Sequence, residues 1–152
     1  KGVFIMSLEM YSPDNILHQD FIKEIMKDDS VQDFLGNIDS QTYLKDSFLL
    51  KNETDYVGFI THSPIVDTRV GKTVSVYYAI SPRYRHLGYG TVMLNLFTKT
   101  FAAMYSLDKF ILNIKKENLS SQQVALKCGF QCIYEDDENQ MYCKDVVREK
   151  KL

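Results

Sequence analysis

The chain has 152 residues, of which 45% are hydrophobic and 25% charged, and its net charge at pH 7 is −2. This length and composition are typical of a soluble globular protein with one sizeable core, so we interpret residues 1–152 as a single domain. A pI near 5.9 gives no sign of the basic surface on which nucleic-acid binding depends, so we predict no nucleic-acid partner.

The cysteines argue against metal and disulfide chemistry. Cys128, Cys132 and Cys143 are odd in number, form no Cys-x-x-Cys pair and have no histidine nearby, so we expect buried free thiols and no metal. No apolar run approaches the ~18 residues of a membrane span, and no signal peptide is recognisable. We therefore expect a cytoplasmic protein with no membrane partner.

The first elements are a strand and a set of helices. Val3–Met10 is predicted to be a strand, and Ser12-Pro13-Asp14 is a helix-start signal, because proline is tolerated in a first helical turn. Around Gly36, Val31–Leu35 and Thr42–Lys45 are predicted to be short helical pieces. The helix after Pro13 has one apolar face at helical spacing, made by Leu17, Phe21, Ile22, Ile25 and Met26.

Strands follow. Phe48–Lys51 and Tyr56–Thr61 flank the polar segment Asn52-Glu53-Thr54-Asp55, which predicts a hairpin. Thr73–Ile80 has an alternating pattern that is typical of a strand with two distinct faces. One face is made by Val74, Val76, Tyr78 and Ile80, and the other by Ser75, Tyr77 and Ala79.

The second half begins with a glycine-rich turn that opens a helix. The predicted buried face of this helix is made by Met93, Leu96, Phe97, Phe101 and Met104. The later predicted elements are a strand at Phe110–Ile114, a helix at Ser120–Lys127 closed by Gly129, and strands at Phe130–Tyr134 and Gln140–Val146 joined by the acidic turn Glu135–Glu138.

This order of elements predicts the fold class. A strand–helix–strand unit at the centre implies a parallel crossover, whereas the hairpins imply antiparallel pairing at the ends. We therefore predict an α/β (α+β) fold with a single mixed, mostly antiparallel, twisted sheet of about seven strands and helices on both faces.

The glycine-rich turn predicts an anion site. Arg85–Thr91 reads Arg-His-Leu-Gly-Tyr-Gly-Thr between a strand and a helix, where backbone N–H groups lack intrahelical partners and the helix dipole attracts negative charge. A nucleotide P-loop is excluded because no lysine follows Gly90, and a dinucleotide fold is excluded because Met93 stands where a third glycine is needed.

Two motifs point to a known family. One is Ile80-Ser81-Pro82-Arg83-Tyr84-Arg85, continuing through Gly90; the other is Asn118-Leu119-Ser120-Ser121 followed by Lys127-Cys128-Gly129-Phe130. With these motifs in this order, the chain resembles the GNAT superfamily of acetyl-CoA-dependent N-acetyltransferases. Its pattern is most similar to the branch that acetylates ribosomal-protein N-termini and small amines.

The resemblance implies a set of cofactor-binding residues. Ala79 and Ile80 would offer main-chain groups to the pantetheine arm and the thioester carbonyl, Arg85 would shape the loop, and Asn118 would hydrogen-bond the pantetheine. Ser121 would lie near the sulfur or cap its helix, and Lys127 would reach the phosphates or stabilise the helix end. Arg85 in a surface ion pair and a solvent-facing His86 remain open alternatives. The coenzyme A pyrophosphate would be bound by the backbone amides of His86, Leu87, Gly88, Tyr89, Gly90 and Thr91.

The catalytic residues are less clear. Many family members protonate the departing thiolate with a tyrosine, but Ala125 occupies that position here. Ser121 is the first candidate for this acid, and Tyr78 and Tyr84 are the next. No residue is a clear general base; His62 and the Glu135–Glu138 turn are the nearest ionisable candidates.

The implied reaction is direct transfer of the acetyl group from acetyl-CoA, as cosubstrate, to a primary amine of a small molecule or a peptide. A catalytically inactive acyl-CoA-binding sensor or regulatory module is the alternative, because the usual tyrosine is absent. The acidic segments Glu135–Glu138 and Asp28-Asp29 hint at a cationic acceptor. A monomer and a homodimer are both compatible with the sequence.

Overall fold

A computed structural model describes residues 5–35 and 44–147 of the chain. The strands are β1 (Ser7–Met10), β2 (Phe48–Lys51), β3 (Tyr56–His62), β4 (Val66–Thr68), β5 (Gly71–Ile80), β6 (Lys109–Lys115), β7 (Gln131–Glu135) and β8 (Asn139–Asp145). The principal helices are α1 (Ile16–Ile25), α2 (Asp29–Leu35), α3 (Tyr89–Met104) and α4 (Leu119–Lys127), with a 3-10 turn at Pro82–Tyr84.

The predicted fold class is confirmed. The strands form one mixed sheet in the order β1-β2-β3-β5-β6-β8-β7, with β4 paired to β5, and helices flank it. The β5–β6 pair is parallel, as expected for strands joined through α3, whereas the hairpins β2–β3 and β7–β8 are antiparallel. The sheet has eight strands where we predicted about seven. The missed strand, β4, is three exposed residues long and thus too short to show an alternating pattern.

The chain divides into two compact units. The first unit comprises Lys1–His62 and Tyr77–Phe97, and the second comprises Ser63–Val76 and Thr98–Leu152. In the first unit, the buried residues Ile22, Ile25, Val31, Leu49, Phe59 and Ala79 form one hydrophobic cluster. In the second unit, the buried hydrophobic residues include Phe110, Leu112, Ile114, Ala125, Phe130 and Tyr142.

The start of the chain differs from the prediction in two ways. β1 begins at Ser7, and Val3 and Phe4 lie outside the described residues. Helix α1 begins at Ile16, because the Asn15 side chain accepts hydrogen bonds from the N–H groups of Leu17 (2.9 Å) and His18 (3.3 Å). The predicted start at Ser12–Asp14 is therefore wrong by one turn, since the nearby asparagine is a strong N-cap.

The buried faces of the helices α1 and α3 also differ from the predicted faces at single positions. Leu17 is 60% exposed, whereas His18 is only 3% exposed and joins Ile22 and Ile25 on the buried face of α1. The imidazole ring of His18 can occupy a buried position because both of its nitrogens are hydrogen-bonded. In α3, Met104 of the last turn is exposed and Leu94 is buried instead.

The remaining predicted elements agree within a few residues. Of Thr42–Lys45, the first two residues lie outside the described part and Leu44 and Lys45 are helical. Gly129 has a φ of +86° directly after the helix α4, as expected for a glycine that ends a helix. Within the described ranges, no helix combines the length and the apolar character needed to cross a lipid bilayer.

Candidate functional site

The end of β5 leads directly into the glycine turn. The Ser81 N–H donates to the Val57 carbonyl (2.9 Å), which fastens the end of β5 to β3. Pro82–Tyr84 then forms the 3-10 turn, in which the Tyr84 N–H donates to the Ser81 carbonyl (2.9 Å). The chain thus reverses over a short distance before α3 begins at Tyr89.

The glycine turn has the backbone geometry of an anion cradle. His86 and Gly88 have positive φ values of 63° and 87°, and residues 86–88 are exposed. A Cβ atom added at Gly88 would find no heavy atom within 4 Å, so the backbone there faces open space. No acidic residue lies in the first turn of α3, which leaves the positive end of its dipole available to a negative group.

Arg85 ties the turn to two other elements of the first unit. Its Nε donates to the Ile80 carbonyl (3.0 Å), and its Nη1 lies 3.7 Å from Asp28 Oδ2, just before α2. Hydrogen bonds from Ser30, together with the positive charge of Arg85, lower the pKa of Asp28. Arg85 thus makes both a hydrogen bond to the end of β5 and an ion pair with Asp28.

Tyr84 is held by a carboxylate. Its hydroxyl donates to Asp55 Oδ2 (2.5 Å), and this hydrogen bond raises the pKa of Tyr84 and lowers that of Asp55. A phenol whose proton is already held in this way is a poorer acid for a departing thiolate. Tyr78, the other tyrosine candidate, is half-buried on β5.

Ala79 and Ile80 occupy opposite faces of β5. Ala79 belongs to the buried cluster under α1 and α2, whereas Ile80 lies on the face towards α3. The side chains of Ile80 and Met93 pack directly against Gly58 on β3. A Cβ atom at Gly58 would leave no room for them, because it would lie 2.8 Å from Met93 Sδ and 2.9 Å from Ile80 Cδ1. No sequence pattern distinguished Gly58 from an ordinary glycine in a strand.

The second unit holds the other motif. Asn118 is the N-cap of α4, and its Oδ1 accepts the Ser121 N–H (3.1 Å). The alternative in which Ser121 caps this helix is therefore wrong, since the asparagine three residues earlier already does so. Capping uses the Asn118 oxygen and leaves its amide N–H groups as possible donors. Ser121 is half-buried, three residues into the helix.

Further along α4, Ala125 is fully buried, and its carbonyl accepts the Phe130 N–H (3.0 Å). A tyrosine ring at this position would require repacking of the surrounding core. Lys127 is exposed in the last turn, where a positive charge favours the helix dipole.

A family model described as "Acetyltransferase (GNAT) domain" matches residues 8–131. The chain belongs to the GNAT acetyltransferase family. This match covers both the glycine turn and the helix α4, the two places where the sequence carries GNAT-like motifs.

Solved GNAT structures show the same fold at low sequence identity. Aminoglycoside N(6')acetyltransferase from Legionella pneumophila is 11% identical, with a TM-score of 0.74 over 95% of this chain and 94% of that one. The N-acetyltransferase PseH of Campylobacter jejuni, in complex with acetyl coenzyme A, is 15% identical, with a TM-score of 0.67 over 94% and 100%. RimJ of Mycobacterium smegmatis, in complex with CoA-disulfide, is 15% identical with a TM-score of 0.59; the match covers 66% of this chain and 52% of RimJ. No curated protein sequence matches the chain.

In the acidic turn Glu135–Glu138, the carboxylates of Glu135 and Asp136 have partners close by. Asp136 Oδ1 accepts the N–H groups of Glu138 (2.9 Å) and Asn139 (2.7 Å), and these bonds lower the pKa of Asp136. Glu135 accepts a hydrogen bond from Gln140 Nε2 (3.1 Å) and lies 3.9 Å from Lys116 Nζ. These contacts build the turn, which weakens the argument for a cationic acceptor drawn from this segment.

The remaining base candidate, His62, is half-buried, and its ring centroid lies 5.9 Å from that of Phe97. Within residues 5–35 and 44–147, no three His, Cys, Asp or Glu side chains are grouped so that they could hold a metal ion.

The first unit contains a polar cluster that no sequence pattern predicted. The Ser12 N–H donates to His18 Nδ1 (2.9 Å), so the ring carries its proton on Nε2, which lies 3.1 Å from Glu9 Oε2. The Tyr56 hydroxyl donates to the same carboxylate oxygen (2.5 Å). Burial and this bond to Glu9 raise the pKa of Tyr56 to about 12. The cluster joins β1, α1 and β3, and no local spacing in the sequence could have revealed it.

Proposed function

We propose that this GNAT chain is an N-acetyltransferase that uses acetyl-CoA as cosubstrate and acetylates a primary amine of a small molecule or a peptide. The observation that carries the proposal is the glycine turn. It combines left-handed backbone at His86 and Gly88, open space beside Gly88, and a helix start that has no acidic residue. These features suit a pyrophosphate, because an anion can approach bare N–H groups closely.

The ligands and activities of proteins with similar structures support the proposed cosubstrate and the proposed reaction. PseH was solved with acetyl coenzyme A and RimJ with CoA-disulfide, and the Legionella structure is an aminoglycoside acetyltransferase. We infer the same cosubstrate here from the family and from the local geometry of the turn.

Each candidate residue then has a defined task. The backbone amides of His86–Thr91 bind the phosphates, and Arg85 holds the turn against the end of β5 through its bond to the Ile80 carbonyl. A main-chain group of Ala79 or Ile80, other than the Ile80 carbonyl that Arg85 contacts, orients the thioester of acetyl-CoA. The side-chain amide nitrogen of Asn118 binds the pantetheine. When bound, acetyl-CoA supplies the activated acetyl group that an amine can attack.

Protonation of the departing sulfur needs a side chain that carries a hydroxyl proton. We propose that the Ser121 hydroxyl donates a proton to the departing sulfur, with Tyr78 as the second candidate. Lys127 is exposed at the far end of α4 and adds positive charge to the helix end. Tyr84 is better explained as a positioning residue, because Asp55 holds its proton.

The test is release of free thiol from acetyl-CoA in the presence of a panel of amines that includes a polyamine, an aminoglycoside and a peptide with a free N-terminus. Thiol release that depends on one class of amine supports the proposal and identifies the acceptor. Tight CoA binding by calorimetry without turnover on any amine would instead support an acyl-CoA sensor. Absence of CoA binding would contradict both.

A further inference from the structure

The turn between β2 and β3 is built around Asn52. The Asn52 Oδ1 atom accepts the N–H groups of Thr54 (3.0 Å) and Asp55 (2.7 Å), and the Asn52 N–H donates to the Asp55 carbonyl (2.9 Å). This side-chain-to-backbone pattern makes a short turn rigid. As a result, the Asn52 amide group and the Asp55 carboxylate are held in fixed positions.

Both of these groups contact tyrosines that flank the glycine turn. Asp55 Oδ2 accepts the Tyr84 hydroxyl (2.5 Å), and Asn52 Nδ2 donates to the Tyr89 hydroxyl (3.2 Å). The Tyr84 and Tyr89 rings pack edge to face, with centroids 5.9 Å apart. Tyr84 immediately precedes Arg85, and Tyr89 is the first residue of α3. One hairpin turn therefore holds both ends of the segment 85–88.

The middle of this segment needs such support. His86 adopts a left-handed conformation, which is unfavourable for a residue with a Cβ atom, and residues 86–88 are exposed. Residues keep unfavourable backbone angles only where the surrounding structure enforces them. Here the enforcement comes from the two ends, where Tyr84 and Tyr89 are fixed.

We propose that the turn Asn52–Asp55 is a positioning element for the cofactor: by holding Tyr84 and Tyr89, it keeps the glycine turn in the conformation that binds the pyrophosphate of coenzyme A. The proposal rests on the proposed function. If the turn has its binding conformation for only a fraction of the time, the apparent Kd is the intrinsic Kd divided by that fraction, so the ligand binds more weakly. Asn52 and Asp55 thus raise affinity without touching the cofactor.

The experiment uses Asp55→Asn and Tyr84→Phe, singly and together. The matched control is Glu53→Gln, which removes a negative charge from an exposed position in the same turn. We expect each test variant to raise the Kd for CoA and the KM for acetyl-CoA about threefold to tenfold, as expected for loss of one strong hydrogen bond, with kcat unchanged. Tyr84→Phe removes the hydrogen bond to Asp55, and Asp55→Asn weakens the same bond by replacing the charged acceptor with a neutral amide oxygen. The double variant should therefore bind CoA little more weakly than Tyr84→Phe alone.

A second readout does not depend on coenzyme A. Backbone amide hydrogen exchange of residues 86–90 in the ligand-free protein should be faster in Asp55→Asn and Tyr84→Phe than in the wild type, and unchanged in Glu53→Gln. An unchanged Kd for CoA in both test variants would overturn the proposal, and so would unchanged exchange of residues 86–90 in both. A fall in kcat at constant KM, confined to Tyr84→Phe, would also overturn it, because Tyr84 would then act as the acid.

The two readouts separate failure of this proposal from failure of the proposed function. If the wild type does not bind CoA while the exchange of residues 86–90 still responds to Asp55→Asn, the proposed function is wrong and the cofactor role of the hairpin turn fails with it. If the wild type binds CoA and neither variant weakens binding, only the positioning role is wrong.

Discussion

The glycine turn of the first unit and the start of α4 in the second carry the two GNAT-like motifs, but they are stabilised differently. The turn is fixed by side chains distant in sequence, since Arg85 contacts Asp28 and Tyr84 contacts Asp55. The start of α4 is fixed locally, by the Asn118 oxygen and the N–H group of Ser121 three residues later. The conformation of the turn therefore depends on the rest of its unit, whereas the start of α4 is set by its own few residues.

The largest expected effect tests whether the backbone of the turn is the binding surface. Gly88→Val places a side chain in the open space beside the turn and should weaken CoA binding about 100-fold or more, equivalent to about 2.7 kcal/mol. Isothermal titration calorimetry measures this directly.

A substitution at Gly88 also strains the backbone, because Gly88 has a positive φ. This strain must be separated from the steric clash between the new side chain and the bound CoA. Gly129, after α4, has nearly the same φ of 86°, and a Cβ atom there meets only ordinary contact with Lys144 Cε at 3.6 Å. Gly88→Ala and Gly129→Ala should therefore lower the unfolding free energy by similar amounts, about 1–2 kcal/mol. Only Gly88→Ala should weaken CoA binding; equal CoA affinities in the two variants would refute the cradle.

The next effect concerns chemistry at the start of α4. Ser121→Ala should lower kcat about 100-fold while the Kd for CoA and the melting temperature stay the same, because Asn118 alone caps the helix. The matched control is Ser120→Ala at the exposed neighbouring position. A wild-type kcat for Ser121→Ala would remove Ser121 from the mechanism and leave Tyr78 as the candidate acid.

Asn118 allows capping and cofactor binding to be separated. Asn118→Asp keeps the oxygen that caps α4 and removes the amide donor, so stability should be preserved while the KM for acetyl-CoA rises about fivefold, the equivalent of one hydrogen bond at about 1 kcal/mol. Asn118→Ala should raise KM and also cost about 1 kcal/mol of stability. An unchanged KM in both variants would restrict Asn118 to its role as a cap.

The smallest effect concerns a second set of distant contacts, the cluster of Glu9, His18 and Tyr56. The hydrogen bond from Tyr56 is the main cause that lowers the pKa of Glu9 from its ordinary value of 4.5. Because the carboxylate is favoured in the folded state, it stabilises the protein above pH 4.5, and this contribution is lost as the pH falls through the lower folded pKa. Chemical denaturation should show Glu9→Gln to be less stable than wild type at pH 7, with the difference shrinking below pH 4.5; a constant difference would contradict this.

The contrast between local contacts and contacts that join distant parts of the chain also explains what could be predicted from sequence. The helix α4 and its terminating Gly129, the hairpin β2–β3 and the parallel β5–β6 crossover follow from local signals, and each was predicted within a few residues. The contacts of Arg85, Tyr84 and His18 join residues far apart in the chain, so no local pattern encodes them. The apolar pattern of α1 even assigned the buried position to Leu17, because it gives no sign that a histidine can be buried when its nitrogens are bonded.

We propose above that the backbone of the glycine turn binds coenzyme A. The most direct test of this proposal is the change in backbone amide NMR shifts when CoA is added to the wild-type protein. We expect the largest changes at Gly88, Tyr89 and Gly90, with smaller ones at Asn118 and Ser121. Saturable CoA binding that leaves the amide shifts of residues 86–91 unchanged would show that the glycine turn is not the binding surface.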